Sequence, residues 1–149
     1  MEIKIKKLHP DAVIPKKAHE SDAAYDLTAV SRSFDDYGNV VYGFGLALEI
    51  PEGFAGFIYP RSSICKYGLT LTNCVGIVDC SYRGEIYAKF KPAFRFDKDD
   101  GIAEGCCFYN PGDRVAQLII RKVESVDFTV ADTLSDTDRG TGGFGSTGI

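Results

Sequence analysis

Short stretches in which apolar and polar residues alternate recur along this chain, and each predicts a β-strand. Leu46, Leu48 and Ile50, for example, share one face of a strand that is followed by a turn at Pro51-Glu52-Gly53. Further strands are expected at 3 to 8, 25 to 27, 54 to 59, 69 to 72, 113 to 121 and 126 to 130. Many short strands at this spacing indicate an all-β fold, either a sandwich or a barrel.

The segments between these strands are predicted to be turns, with one short helix among them. Residues 31 to 39 are polar and rich in turn formers. Ser62 or Ser63 can cap one or two helical turns that run through Tyr67. Residues 91 to 110 predict an extended hairpin with a charged tip, longer than a compact turn requires.

The stretch from Asn73 to Glu85 joins an apolar run to a turn that carries three functional side chains. The run from Val75 to Val78 delivers Asp79 to the start of the turn, where Tyr82 and Arg83 follow. Alternation then resumes, so we predict a β-hairpin whose bend presents an acid, an aromatic ring and a cation. Two interpretations of the aspartate stay open from these residues alone. It either caps its own turn or serves as a catalytic carboxylate.

Composition narrows the classes of function. A chain of 149 residues is long enough for one domain with its own core, and the formal net charge of −4 argues against a nucleic-acid partner. No apolar run is long enough to cross a membrane, and the charged start predicts no signal peptide. Five cysteines without such a signal predict reduced thiols and a cytoplasmic location. Their spacing does not match a zinc site.

The glycine-rich end of the chain has two possible roles. Its composition is typical of a disordered terminus. It also combines a cation, Arg139, with a ring, Phe144, two hydroxyls and free backbone amides, which are groups suited to gripping phosphates and covering a base. We therefore divide the chain into a β domain, residues 1 to 138, and a flexible glycine-rich end, residues 139 to 149, which is either a disordered terminus or a lid.

Five separated motifs occur in order along the chain. They are Ala24-Tyr25-Asp26-Leu27; Pro60-Arg61-Ser62-Ser63; Gly76-Ile77-Val78-Asp79 with Tyr82-Arg83-Gly84; Pro111-Gly112-Asp113-Arg114-Val115-Ala116-Gln117-Leu118; and the segment Arg139 to Gly148. Together they resemble the homotrimeric dUTP diphosphatase (dUTPase) family. The resemblance implies an all-β jelly-roll or β-sandwich subunit of the dUTPase-like β-clip type, with active sites shared between three subunits.

The activity that this resemblance implies is hydrolysis of dUTP to dUMP and pyrophosphate, which limits uracil in DNA and supplies dUMP for dTMP synthesis. Asp79 would be the general base for the attacking water, Ser62 would donate to the bridging oxygen, and Gln117 would help to hold the water. The cofactor would be Mg²⁺, carried by the substrate phosphates and waters without a direct protein ligand. Asp26 would belong to its water shell and to an arginine network.

Substrate-binding roles follow from the same resemblance. Tyr82 would pack on the deoxyribose and leave no room for a 2′-hydroxyl, while Asn73 and the backbone of Gly76, Ile77 and Val78 would read the uracil edge. The remaining substrate-binding residues would be Arg61, Ser63, Tyr87, Arg139, Phe144, Gly145, Ser146 and Thr147.

Two alternatives stay open. Arg61-Ser62-Ser63 and the following Tyr67-Gly68-Leu69 also resemble dCTP deaminases, which share the fold, but Lys89 stands where that family needs a glutamate for proton transfer. A non-catalytic regulatory nucleotide-binding homologue would keep the fold and lose the chemistry. One departure from the dUTPase pattern is Ser81, which replaces the acid usually found beside the motif tyrosine.

Overall fold

The computed structural model describes residues 1 to 92, 107 to 144 and 146, and these residues form an all-β subunit, as predicted. The described part contains ten strands and one 3-10 helix, Ser62–Lys66. The strands are β1 Lys4–Lys7, β2 Tyr25–Thr28, β3 Ser31–Phe34, β4 Val40–Gly43, β5 Leu46–Glu49, β6 Phe54–Pro60, β7 Leu69–Leu71, β8 Gly76–Val78, β9 Tyr87–Pro92 and β10 Arg114–Lys122. No helix among the described residues is long and apolar enough to span a membrane.

Two four-stranded antiparallel sheets share one apolar core. Their strand orders are β3-β4-β9-β7 and β2-β10-β6-β8, and β1 pairs separately with β5. Alternation in β9 places Ala88 and Phe90 in the core, and alternation in β7 places Leu69 and Leu71 there. Burial of one large side chain such as Phe90 contributes about 1.5–3 kcal/mol, so this core provides the rigid frame for the site.

The ladder around β6 determines where the functional motifs lie. β10 pairs along all of β6, with Ala116 opposite Pro60 at one end. β8 pairs with the central residues of β6 on the other side and runs toward the start of that strand, with Val78 opposite Gly56. The motif that follows β6 and the motif that follows β8 therefore start at opposite ends of the same strand.

The predicted hairpin between Asn73 and Glu85 is wrong, although both of its arms are strands. β8 pairs with β6 in one sheet, whereas β9 pairs with β4 and β7 in the other. The segment between β8 and β9 therefore crosses from sheet to sheet. Alternation identified both strands because it is local, but their partners lie elsewhere in the chain, where no local pattern can identify them.

Two further predictions about strands need correction. Residues 31 to 34 form β3, an exposed edge strand whose polar faces give no alternation signal. Residues 126 to 130, predicted as a strand, have no partner strand among the described residues, and Phe128 and Val130 are 95% and 97% exposed. This apolar segment lies outside the core of its own subunit.

Smaller differences concern the helix and β2. The helix is a 3-10 helix whose N-cap residue is Arg61, and neither predicted serine caps it through its side chain. Gly68 ends the turn with φ of 59°, a conformation that favours glycine. The sequence predicts Tyr25 and Leu27 on one face of β2 and Asp26 on the other; Asp26 and Leu27 are both buried while Tyr25 is 40% exposed, so both faces of the strand are covered at its centre. Most of the hairpin predicted at 91 to 110 lies outside the described residues.

Candidate active site

A small cavity of about 220 Å³ lies where the chain crosses between the sheets. It is lined by Ile58, Asn73, Gly76, Ile77, Val78, Asp79, Tyr82, Glu85, Ile86 and Tyr87. These residues include every one for which the sequence predicts a role in reading the base or the sugar. A larger hollow of about 410 Å³ is lined mainly by apolar side chains near the N-terminus and contains no carboxylate. Of these two cavities, the smaller one is therefore better equipped for polar chemistry.

Asp79 lies at the end of β8 with its carboxylate exposed. The turn that follows is closed by a backbone bond, in which the Tyr82 amide donates to the Asp79 carbonyl at 3.1 Å. Within residues 1 to 92, 107 to 144 and 146, the carboxylate makes no hydrogen bond to this turn. The capping interpretation is therefore not supported, and the acid faces the cavity with its oxygens available.

The turn itself is held by its own side chains. Arg83 donates to the carbonyl oxygens of Cys80 at 2.6 Å and Tyr82 at 3.0 Å, so this cation braces the backbone. The Tyr82 ring lies across Gly84, where an added Cβ would come within 2.6 Å of the ring carbon Cζ. Only glycine at that position leaves space for the ring.

Glu85 links the two tyrosines of the cavity. Its backbone carbonyl accepts from the Tyr82 hydroxyl at 2.8 Å, and its Oε2 accepts from the Tyr87 hydroxyl at 2.7 Å. Its other carboxylate oxygen, Oε1, accepts from the Gly45 amide at 2.8 Å. The bond to Glu85 raises the pKa of Tyr87, because it favours the neutral phenol.

A second polar cluster is centred on Asp26, which is buried on β2. Its Oδ1 accepts from Arg61 Nε at 2.8 Å and from Gln117 Nε2 at 3.4 Å, and its Oδ2 accepts from Arg114 Nη1 at 2.9 Å. Both oxygens of the acid are thus engaged by cations. The buried carboxylate orients Arg61 and brings it beside Gln117, which lies opposite Asp26 across the β2–β10 ladder.

The serines of the second motif lie next to this cluster. Ser62 begins the 3-10 helix and is exposed. The Ser63 hydroxyl is hydrogen-bonded at 3.1 Å to that of Tyr109, whose ring stacks on Tyr67 at 3.7 Å. Burial raises the pKa of Tyr109 and keeps its phenol neutral. Of the two serines, Ser62 therefore has the freer hydroxyl.

The two polar groups of the predicted site are well separated within one subunit. Val78 and Ala116 lie opposite Gly56 and Pro60, four residues apart along β6 and on opposite sides of it. At strand spacings of about 3.3 Å along and about 4.8 Å across, the two groups are roughly 16 Å apart. Asp79 therefore does not meet Ser62 or Gln117 in its own chain.

The described part of the tail forms only local contacts. Arg139 Nε donates to the Gly142 carbonyl at 2.8 Å, and the Ser146 amide donates to the Gly143 carbonyl at 3.1 Å. Phe144 is fully exposed, with φ of 51°. Gly145 and Thr147 lie outside the described residues. The predicted lid residues that are described are thus not on the cavity of their own subunit.

Sequence reasoning missed two residues of these clusters. Glu85 and Tyr109 carry no signal that separates them from ordinary strand and turn residues. Their partners, Gly45 and Ser63, are 40 and 46 positions away in the chain. A contact over that separation becomes visible only once the sheets are assembled.

Comparison with known proteins identifies the fold and the family. A family model described as dUTPase matches residues 11 to 148. A deoxyuridine 5′-triphosphate nucleotidohydrolase of Thermobifida fusca is 40% identical over 98% of this chain and 78% of its own. Another protein of that name, from Picosynechococcus, is 40% identical over 99% of each chain.

Solved structures agree with the architecture. A Staphylococcus bacteriophage 80alpha dUTPase with dUpNHpp superposes with a TM-score of 0.81, at 24% identity over 99% of each chain. A phage phi11 dUTPase, whose structure reports a structural Mg(II) ion, superposes with a TM-score of 0.70 over 89% of this chain. These distant neighbours support the fold, while the family match and the close bacterial relatives establish membership. The chain belongs to the dUTPase family.

Proposed function

We propose that this protein hydrolyses dUTP to dUMP and pyrophosphate. The observation that carries the proposal is the cavity in which an exposed acid, Asp79, adjoins a sugar-sized space walled by Tyr82 and Tyr87. The family and the names of its close relatives support the same activity. In this cavity the amide of Asn73 and the backbone from Gly76 to Val78 would pair with the uracil edge.

The chemistry follows from the available groups. Asp79 orients a water and takes its proton as the water oxygen bonds to the α-phosphorus. The bond from that phosphorus to the oxygen bridging to the β-phosphate then breaks, and pyrophosphate leaves with the electron pair. Ser62 donates a hydrogen bond to that bridging oxygen as charge develops there, and Gln117 helps to hold the water. Precise placement compensates for the weak basicity of an ordinary carboxylate.

The substrate is proposed to be the Mg²⁺ complex of dUTP, in which the metal offsets the charge of the departing pyrophosphate. Asp26 fits a role outside the direct ligands, because Arg61 and Arg114 engage both of its oxygens. It would contact Mg²⁺ through water. Arg61 beside it, together with Ser62 and Ser63, would bind the phosphates.

A homotrimer is part of the proposal, because one subunit keeps the two halves of the site roughly 16 Å apart by strand geometry. The cavity of one subunit would face the cluster of Asp26, Arg61 and Gln117 on another. The exposed apolar segment at residues 126 to 130 supports assembly, since large apolar side chains at 95–97% exposure are costly in a monomer.

The tail, residues 139 to 149, is proposed as the lid from the third subunit. Arg139 would contact the γ-phosphate and Phe144 would stack on the uracil, while Gly145, Ser146 and Thr147 would add phosphate contacts. The absence of contacts between the described tail residues and their own cavity is consistent with that arrangement. We propose a cytoplasmic location, in the host cell if the chain is viral.

A nucleotide panel tests the activity. Purified protein with Mg²⁺ is expected to release pyrophosphate from dUTP and little from UTP or dTTP. Release of ammonia from dCTP would favour the deaminase alternative instead. The structure weakens that alternative, since Lys89 donates to Asp35 in the β3–β4 turn and is not among the cavity residues. Binding of dUTP without turnover would favour a regulatory homologue.

Mixed subunits test the shared site. Asp79→Asn is expected to lower kcat by about 10²–10⁴-fold, and Ser62→Ala by about 10²–10³-fold, as for loss of a base and of an oxyanion donor. When the two variants are unfolded and refolded together, roughly a quarter of the sites in random trimers would combine intact Asp79 with an intact neighbouring Ser62. Recovery of that activity is expected. Absence of recovery, with mixed trimers present, would contradict a shared site.

A further inference from the structure

Glu85 lies at the point where the crossing segment meets β9, and it is not among the residues that the dUTPase resemblance equips with a role. Three of its acceptor atoms are used at once, by Tyr82, Tyr87 and Gly45, at 2.7–2.8 Å. We propose that Glu85 is a positioning residue that makes the cavity selective for deoxyribose over ribose. This inference rests on the proposed function, in which Tyr82 excludes the 2′-hydroxyl.

The two rings need such a support because both are otherwise exposed. Tyr82 and Tyr87 are 45% and 48% exposed, so packing alone does not hold them. The Tyr82 hydroxyl is anchored by the backbone carbonyl of Glu85 and the Tyr87 hydroxyl by its carboxylate, so a substitution of Glu85 releases the Tyr87 side of the wall and keeps the bond to Tyr82. Selectivity against one extra hydroxyl depends on a rigid wall, since a ring that can move aside lets the larger sugar enter.

The carboxylate is itself anchored to the turn between β4 and β5. The Gly45 amide, with φ of 62° at that residue, points at Oε1. The adjacent backbone of Ile86 is also tied to this turn, donating to Leu46 at 2.9 Å and accepting from Phe44 at 3.2 Å. The backbone bonds fix the position of the chain beside this turn. The carboxylate connects the Tyr87 hydroxyl to the same turn.

Gly43 provides the space that the carboxylate occupies. It lies opposite Tyr87 across the β4–β9 ladder. A Cβ at this position would come within 2.6 Å of Ser31 Oγ, 2.7 Å of Glu85 Oε1 and 3.1 Å of Tyr87 Cε1. Gly43 does not have a positive φ, so alanine there would displace these groups without straining the backbone. The hydrogen bonds that join Glu85 to Tyr82, Tyr87 and Gly45 are called the clamp below. Gly43→Ala therefore perturbs the clamp while leaving Glu85 chemically intact.

The measured quantity is the ratio of kcat/KM for dUTP to kcat/KM for UTP. Glu85→Ala is expected to lower this ratio about tenfold, the order expected for losing a hydrogen bond to a charged group. The change should appear mainly as a lower KM for UTP, with kcat little changed, because a ring that moves aside admits the 2′-hydroxyl and does not touch the phosphates. Gly43→Ala is expected to lower the ratio in the same direction.

Glu85→Gln provides the conservative rescue. Its amide oxygen can accept from Gly45 and its NH₂ can donate to the Tyr87 hydroxyl oxygen, so the ratio is expected to stay within about threefold of wild type. Glu52→Gln, in the exposed turn after β5, is the control for loss of a carboxylate. Melting temperatures of all variants are recorded alongside, to separate positioning from general destabilisation.

Two outcomes would overturn the role of Glu85. One is an unchanged ratio in both Glu85→Ala and Gly43→Ala. The other is an equal loss of kcat with both nucleotides. Wild-type protein is assayed first, because failure to turn over dUTP refutes the proposed function separately. In that event the relative affinities for dUMP and UMP, measured by calorimetry, test the clamp, and an equal ratio in wild type and Glu85→Ala would overturn it.

Discussion

The buried carboxylate of Asp26 offers a direct test of how the phosphate side of the site is built. Asp26→Asn keeps the size of the side chain and removes its charge. The asparagine oxygen can still accept from Arg61, but its NH₂ would face Arg114, where the carboxylate now accepts at 2.9 Å. The variant therefore loses both ion pairs and keeps only a hydrogen bond to Arg61.

The magnitude follows from how exposed each partner is. The Arg61 side chain is 22% exposed and loses its anion, at a cost of about 1–1.5 kcal/mol, the difference between a charge-assisted and a more neutral bond. The Arg114 side chain is 52% exposed, so water screens its loss to about 0.5–1 kcal/mol. The sum of about 2 kcal/mol corresponds to a fall in Tm of about 4–8 °C for a chain of this size.

Thermal unfolding followed by circular dichroism, at one fixed protein concentration, measures that fall. KM for dUTP is expected to rise as well, because Arg61 is no longer held beside Gln117. Asp11→Asn is the matched control, since that side chain is 85% exposed and lies 3.8 Å from His9. A Tm within about 1 °C of wild type, together with an unchanged KM, would refute the reasoning.

Two further predictions concern acid stability and the tail. Asp35→Asn is expected to lower Tm at pH 7, because bonds from Asn39, and also from Lys89, hold the pKa of Asp35 well below its usual range. A lowered pKa stabilises the fold above about pH 4 and loses that effect on acidification, so the gap to wild type should narrow between about pH 4 and pH 2. Removing residues 139 to 149 is expected to lower kcat for dUTP by about 10²-fold and to leave Tm unchanged.

Both predictions have internal controls. Asp36→Asn changes the neighbouring exposed acid and is expected to leave the pH dependence of Tm as in wild type. A difference in Tm between Asp35→Asn and wild type that stays constant over the pH range would contradict the link between the lowered pKa of Asp35 and stability. Full activity of the truncated chain would show that the tail is only a disordered terminus.

The sequence alone was sufficient for most strands and for the family. Alternation in β7 and β9 arises because successive side chains of a strand point to opposite faces, so it can be recognised from the sequence alone. The five motifs likewise lie in short contiguous stretches. The predictions for the edge strand β3 and for residues 126 to 130, which have no partner strand among the described residues, are wrong. Whether a segment forms a strand depends on its partner as well as on its own sequence.

Tertiary structure alone decided which groups meet. Asp79 follows β8, an edge strand that pairs with the middle of β6 and runs toward its start, whereas Gln117 lies beside the end of β6, so one chain holds them apart. Glu85 reaches Gly45 across 40 positions, a contact that no local pattern encodes. Local physics thus specifies the elements, while long-range packing of the two sheets determines the cavity, its tyrosine clamp and the buried Asp26 cluster.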